Sequence, residues 1–316
     1  EGILSIYEKF QGANPRTSPM KIFPAVHYTM GGLWVDYEKN ALGGLVAGSP
    51  KNQASNVAGV FAIGEADYQY HGANRLGANS LLSCIFSGLI NAPAIASYFK
   101  SLKKCAADQP QSLFDLAVRK HKDRFDALVA RTGNENAYLL HEELGRTMTE
   151  NVTVVRYNDR IGQTLAKIDE LMKRFERAPL ADKGQWTNQN LSFTRALGDM
   201  LILAKVIALG AQQRDECRGA HFKPDFEIAG LDPAAGDLTA QAKKWCEQFK
   251  KRNDRWLKTT VSTHTPGGPK ITYEDVDTTL IHPRPRTYGL KGADEIERIW
   301  KTEFSGAKAK PVAVGA

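Results

Sequence analysis

Three polar side chains, His27, Glu65 and Arg75, stand beside small residues that would let a ligand approach the backbone. His27-Tyr28-Thr29-Met30 runs straight into Gly31-Gly32. An imidazole there can be a functional group, or more plainly a structural hydrogen-bonding residue at a strand end. Gly64-Glu65-Ala66-Asp67 closes the apolar run Val60-Phe61-Ala62-Ile63, which reads as a buried strand. A carboxylate at the C-terminal end of such a strand sits where open α/β sheets bind ligands. It can accept hydrogen bonds from ribose or ribityl hydroxyls, cap a helix, or face solvent. His71-Gly72-Ala73-Asn74-Arg75-Leu76-Gly77-Ala78-Asn79-Ser80-Leu81-Leu82 then gathers small residues around one arginine, just ahead of an uncharged helix. A guanidinium grips a carboxylate in two parallel bonds. The helix start adds unpaired N–H groups and about half a unit of positive charge. Together these groups could capture an anion; the plainer alternative is a capped helix with a surface arginine.

The elements that must position these residues follow from the pattern of the chain. Ile3, Ile6, Tyr7 and Phe10 recur at helical spacing until Gly12, Asn14, Pro15 and Pro19 break the helix. From Ile22 to about Ile63 short strands alternate with glycine turns. Leu76–Phe99 carries no charge and is long enough to span a bilayer. Its Asn79, Ser80, Ser83, Ser87, Asn91, Pro93 and Ser97 would be costly in lipid, so a buried helix starting near Ser80 and broken near Pro93 fits better. A break follows near 103–111. From about 112 to 215 helical periodicity dominates: Phe125, Leu128 and Val129 on one face; Ile161, Leu165, Ile168, Leu171, Met172 and Phe175 on another; Met200, Leu201, Leu203, Val206 and Ile207 on a third. Without long heptads this predicts an antiparallel bundle rather than a coiled coil. After Gly219 the chain reads as loop-rich, with β-like stretches at 258–261 and 270–273 and a flexible tail over 308–316.

Composition narrows the class. Of 316 residues, 42% are hydrophobic and 24% charged, which excludes global disorder and leaves room for about two domains. Lys+Arg 42 against Asp+Glu 35 gives a net charge of +7, suited to small anionic substrates or an anionic surface. Of the basic runs Lys103-Lys104, 119–124 and 250–255, the last two are interrupted by Asp123 and Asp254, and all read as solvated helix faces rather than a nucleic-acid site. Cys84, Cys105, Cys217 and Cys246 form no CxxC pair, so neither a disulfide scaffold nor a zinc or iron–sulfur site built from this chain alone is expected; reduced thiols are. The chain begins Glu1-Gly2-Ile3, which reads as a truncated or processed start.

The three motifs, in this order, resemble the flavoprotein subunit of succinate dehydrogenases and fumarate reductases. So do Glu216-Cys217-Arg218-Gly219-Ala220-His221-Phe222 with Pro224-Asp225-Phe226, and Arg284-Pro285-Arg286-Thr287-Tyr288. The resemblance implies an α+β / α/β fold: the end of a capping domain (1–24), the C-terminal part of a Rossmann-like FAD-binding domain (25–103), an antiparallel helical domain (104–225) and a loop-rich C-terminal domain (226–316). It implies that His27 and Arg75 bind a dicarboxylate. Tyr28 (through its backbone), Glu65, Ala78, Ser80 and Leu81 would contact FAD, and no metal ligand is implied. The family's Gly-rich dinucleotide fingerprint, its covalent FAD histidine and its proton-transferring arginine match nothing in these residues, so no catalytic residue is assigned in this chain and stable FAD binding by it alone is not expected. The implied activity is succinate oxidation by hydride transfer to FAD, as in respiratory complex II and the tricarboxylic acid cycle. Fumarate reduction, L-aspartate oxidase activity and a non-catalytic helical scaffold are the alternatives. The implied partners are an iron–sulfur subunit, a membrane-anchor cytochrome b and the N-terminal flavoprotein half. The implied location is peripheral, on the cytoplasmic face of a bacterial inner membrane, with no transmembrane segment in this chain.

Overall fold

The computed structural model describes residues 2–21, 27–184, 186–279 and 281–305. The Phe23–Val26 stretch and the 308–316 tail singled out above lie outside them. Helix α1 (Gly2–Gln11) forms where the apolar spacing predicts it, with Ile3, Ile6 and Phe10 exposed. Residues 27–67 make glycine-punctuated turns joined by single bridges: Leu33 with Asp67 in parallel, and Asp36 with Ala54, Ala54 with Phe61 and Lys39 with Leu45 antiparallel. The buried strand expected at 60–63 does not form. Gly59 and Gly64, both at positive φ, bend the run at each end, only Phe61 pairs, and Val60 and Ile63 remain 45% and 47% exposed.

Helix α2 (Asn79–Ser101) corrects two expectations. It continues through Pro93, and its buried face is the polar one. Ser83, Ser87, Asn91 and Ala94 form the buried stripe, while Leu81, Leu82, Ile85, Phe86, Leu89, Ile95 and Phe99 face outward. The small side chains let the Gly64 turn come close, and their hydroxyls satisfy it: Ser87 Oγ accepts the Gly64 N–H at 2.9 Å and donates to the Tyr70 hydroxyl at 2.7 Å. Proline is tolerated because the bond it forfeits would have gone to the carbonyl of Leu89, on a face water can reach. By length and composition this is one helix apolar enough to cross a membrane. Beneath it Tyr37 donates to Asp67 at 2.6 Å, and Gln53 donates to the Tyr70 hydroxyl at 2.7 Å. Burial raises the pKa of both Tyr37 and Asp67, which keeps the phenol protonated as a donor.

Helices form where the periodicity places them, although α6 turns a different face inward than expected. Helices α4 (Ala137–Met148), α5 (Asn158–Phe175) and α6 (Gln189–Gln212) surround one core. Asn136 caps α4 by accepting the N–H of Tyr138 at 2.9 Å. Ile161, Ile168, Leu171 and Phe175 line the inner face of α5. On α6 the buried stripe is Leu197, Leu201, Ala204, Ala208 and Ala211; Met200, Leu203 and Ile207 point outward, because alanines allow the closer approach of α5. Arg174 clasps both Glu135 and Glu143, and its bonds hold the Glu143 carboxyl down at about 2. Helix α3 (Gln111–Ala130) touches this body chiefly through Leu128; Phe125 is 38% exposed.

The C-terminal region is less loop-rich than its prolines suggest. Helix α7 (Leu238–Trp256), capped by Asp237, buries Ala242, Trp245, Cys246 and Phe249 against helix α8 (Ala293–Ile299), while Trp256 at its end meets Tyr273 edge-on. Between them β1 (Lys258–Thr263) and β2 (Lys270–Asp275) form an antiparallel hairpin in the register Lys258 to Asp275.

Candidate functional site

His27 and Arg75 are brought together across 48 positions of sequence: the guanidinium Nη2 lies 3.3 Å from His27 Nδ1. His27 is exposed and Arg75 half-buried, so both face an open surface. Two cavities, of about 340 Å³ beside Trp34 and Tyr98 and about 300 Å³ beside Phe175 and Leu201, include neither residue.

The arginine is aimed by its surroundings. Its N–H is held by the sulfur of Met30 at 3.0 Å, Nη1 donates to the carbonyl of Leu76 at 3.3 Å, and the guanidinium lies 5.5 Å from the centre of the Tyr28 ring. The Tyr28 ring meets His71 edge-on at 4.9 Å. Its hydroxyl lies 3.2 Å from Ser83 Oγ, which lies 3.3 Å from His71 Nε2. The Tyr28 side chain is thus occupied internally, leaving its backbone for any ligand. Met30, His71 and Ser83 are supporting residues that the reading of side-chain types missed. His71 and Met30 stood inside the quoted motifs, and Ser83 was signalled only by its place four residues before Ser87.

Glu65 is exposed and accepts the Thr29 N–H through Oε1 at 2.7 Å. The carboxylate therefore ties the His27–Met30 strip to the turn after Ile63, while Oε2 has no partner among the described residues. At the start of α2, Ala78 adopts a left-handed conformation (φ 64°), and no side chain caps the first turn. The N–H groups at Ser80 and Leu81 thus stay open at the positive end of a 23-residue helix. Added Cβ atoms at Gly31 and Gly77 would meet nothing within 4 Å, so the backbone at both glycines borders open space.

Two family models match the chain: an FAD binding domain over residues 1–81 and the fumarate reductase flavoprotein C-terminal region over 141–288. The succinate dehydrogenase flavoprotein subunit of Bacillus subtilis is 46% identical over 92% of this chain and 44% of its own length. The fumarate reductase flavoprotein subunit of Haemophilus influenzae is 29% identical over 99% of this chain and 45% of its length. The FrdA chain of a mutated Escherichia coli quinol fumarate reductase superposes with a TM-score of 0.71 at 27% identity, covering 92% of this chain and 44% of that one. The chain spans under half the length of these relatives. With both family models and the fold in agreement, it belongs to the succinate dehydrogenase and fumarate reductase flavoprotein family.

Proposed function

We propose that this chain supplies the dicarboxylate-gripping, C-terminal part of a flavin-linked succinate dehydrogenase. The observation that carries this reading is the meeting of His27 and Arg75 beside an uncapped helix start. A four-carbon dicarboxylate carries two negative charges, so it needs donors at both ends. Arg75 offers a planar fork to one carboxylate, and His27 offers a ring N–H beside it. The short distance between them sets one wall of a site; ligands for the second carboxylate come from the remainder of the flavoprotein.

Glu65, Ala78, Ser80 and Leu81, with the Tyr28 backbone, would hold FAD. The open amide groups at Ser80 and Leu81 and the space beside Gly31 and Gly77 fit a flat ring with an anionic edge. FAD, when bound, supplies the hydride acceptor. This chain's own part is electrostatic and geometric. The α2 N-terminus presents fixed positive potential where negative charge develops, and Arg75 holds the substrate against that point. Met30, bonded to the Arg75 N–H, favours this activity over aspartate oxidation, where the resemblance leads us to expect cysteine.

The domain limits at 24, 103 and 225 extend this reading to the whole chain. The outward apolar face of α2, from Leu81 to Phe99, is the surface we assign to the N-terminal flavoprotein half. An iron–sulfur subunit and a membrane-anchor cytochrome b complete the proposed assembly, placed peripherally on the cytoplasmic face of the membrane. The test is to express the chain alone and joined to its upstream half. The joined protein should retain flavin through gel filtration and reduce a dye with succinate, and the chain alone should do neither. A joined, flavin-loaded protein inert toward succinate and fumarate alike would overturn the reading.

A further inference from the structure

We infer that the turn Arg218–His221 is a positioning element for Arg75, holding from beneath the loop that carries the guanidinium. This rests on the reading that Arg75 grips the substrate. The contact is made by backbone: the Ala220 N–H donates to the carbonyl of Ala73 at 2.8 Å, two residues before Arg75. Gly219, at φ 58°, allows the approach. A Cβ on it would stand 2.3 Å from the Ala73 oxygen and 2.9 Å from Asn74 Cβ, closer than real atoms approach. Any side chain there must lift the 72–75 loop or push the turn away.

The turn itself has little freedom. Arg218 and His221 exchange backbone bonds at 2.9 and 3.0 Å. The Arg218 Nε sits 3.0 Å from both oxygens of the wholly buried Glu216, and Nη2 donates to Asn253 Oδ1 on α7 at 2.7 Å. Glu216 also receives Arg214 Nε at 2.7 Å, and Arg214 continues to the carbonyl of Lys258 at 2.8 Å on the hairpin. The His221 Nε2 lies 2.7 Å from the Arg214 carbonyl. One buried carboxylate between two guanidiniums thus locks the turn to α7 and to β1. The loop above has only two other backbone anchors among the described residues: Asn74 N–H to His71 at 3.1 Å and Arg75 N–H to Met30 at 3.0 Å. The Ala220 bond is the third and ties the loop to the Arg218–His221 turn. A reacting geometry displaced by 1 Å can lose about 100-fold in rate, so a support at this point belongs to the site's precision.

The experiment uses the complete FAD-loaded flavoprotein and malonate, a dicarboxylate that cannot be oxidised. Its dissociation constant is read from the perturbation of the flavin visible band, alongside flavin content and melting temperature. Gly219→Ala should retain flavin yet bind malonate at least about tenfold more weakly, with kcat/KM for succinate falling further than affinity. Arg218→Lys, which keeps the charge but loses the fork on Glu216, should shift both in the same direction by less, and it stands in should Gly219→Ala not accumulate. Gly219→Ala, or Arg218→Lys in its absence, with a lowered melting temperature but unchanged malonate affinity would make the turn merely structural and overturn the inference. Arg75→Lys in parallel separates the two ideas. If Arg75→Lys binds malonate normally, the substrate reading itself fails; if it is weakened while the turn variants bind normally, only the positioning role fails.

Discussion

Lowering the pH from 7.5 to 4.5 should destabilise this protein through one buried histidine. His221 is 9% exposed and neutral: Nε2 faces the Arg214 carbonyl at 2.7 Å, so it carries the proton, and Nδ1 accepts from Arg156 Nη1. Burial, and then the neighbouring Arg156, Lys223 and Arg214 cations, push its ionisation down to about 4 from the ordinary 6.5. Between these two values the unfolded chain binds the proton and the folded chain does not. Stability from this group is therefore whole above 6.5, falls as pH drops through the window, and reaches its full loss below 4. Linkage gives a loss of about 1.4 kcal/mol at pH 5.5 and about 2.5 kcal/mol at pH 4.5. Urea unfolding followed by tryptophan fluorescence measures it, with His221→Gln as the reference. Glutamine can keep a donor toward Arg214 and an acceptor toward Arg156 but does not titrate. The difference between the two proteins should grow steadily below pH 6.5. Parallel pH curves for the two would show that the ring is not held neutral and would refute the reasoning.

Ile168 is fully buried in the α4–α6 core, so Ile168→Ala should cost about 2–5 kcal/mol in urea unfolding while helical content by circular dichroism stays unchanged. On α2, Leu89 is 71% exposed in this chain; Leu89→Glu should reduce binding of a hydrophobic dye by the chain alone, yet block flavin retention once the upstream half is present. Retention of flavin by that variant would remove the face from the proposed contact.

Much of this architecture could be read from spacing. Of the six apolar α5 positions expected inside, 161, 168, 171 and 175 are buried and 165 and 172 partly so, and the hairpin at 258–275 lies where β-like stretches were noted. The inversion of α2 could not be seen that way, because apolar content predicts burial only when the partner surface is present, and here the serines meet the Gly64 turn. Helix α7 was masked by the prolines around it, although Asp237 and the Ala242, Trp245, Cys246, Phe249 spacing marked it. In the site, each residue type announced what it could bind. The convergence of His27 on Arg75 was legible only through the family resemblance, since no local rule links residues so far apart. The Ala73–Ala220 contact is a purely tertiary fact.

The claim on which the rest depends is that His27 and Arg75 act on one dicarboxylate. A double-mutant cycle in the complete enzyme tests it directly, with kcat/KM for succinate measured for His27→Ala, Arg75→Lys and both together. Each single change should cost at least about 2.7 kcal/mol, a 100-fold loss, and the pair should cost clearly less than the sum, with a coupling of about 1 kcal/mol or more. Near-normal kinetics in either single variant, or losses that simply add, would contradict a shared site.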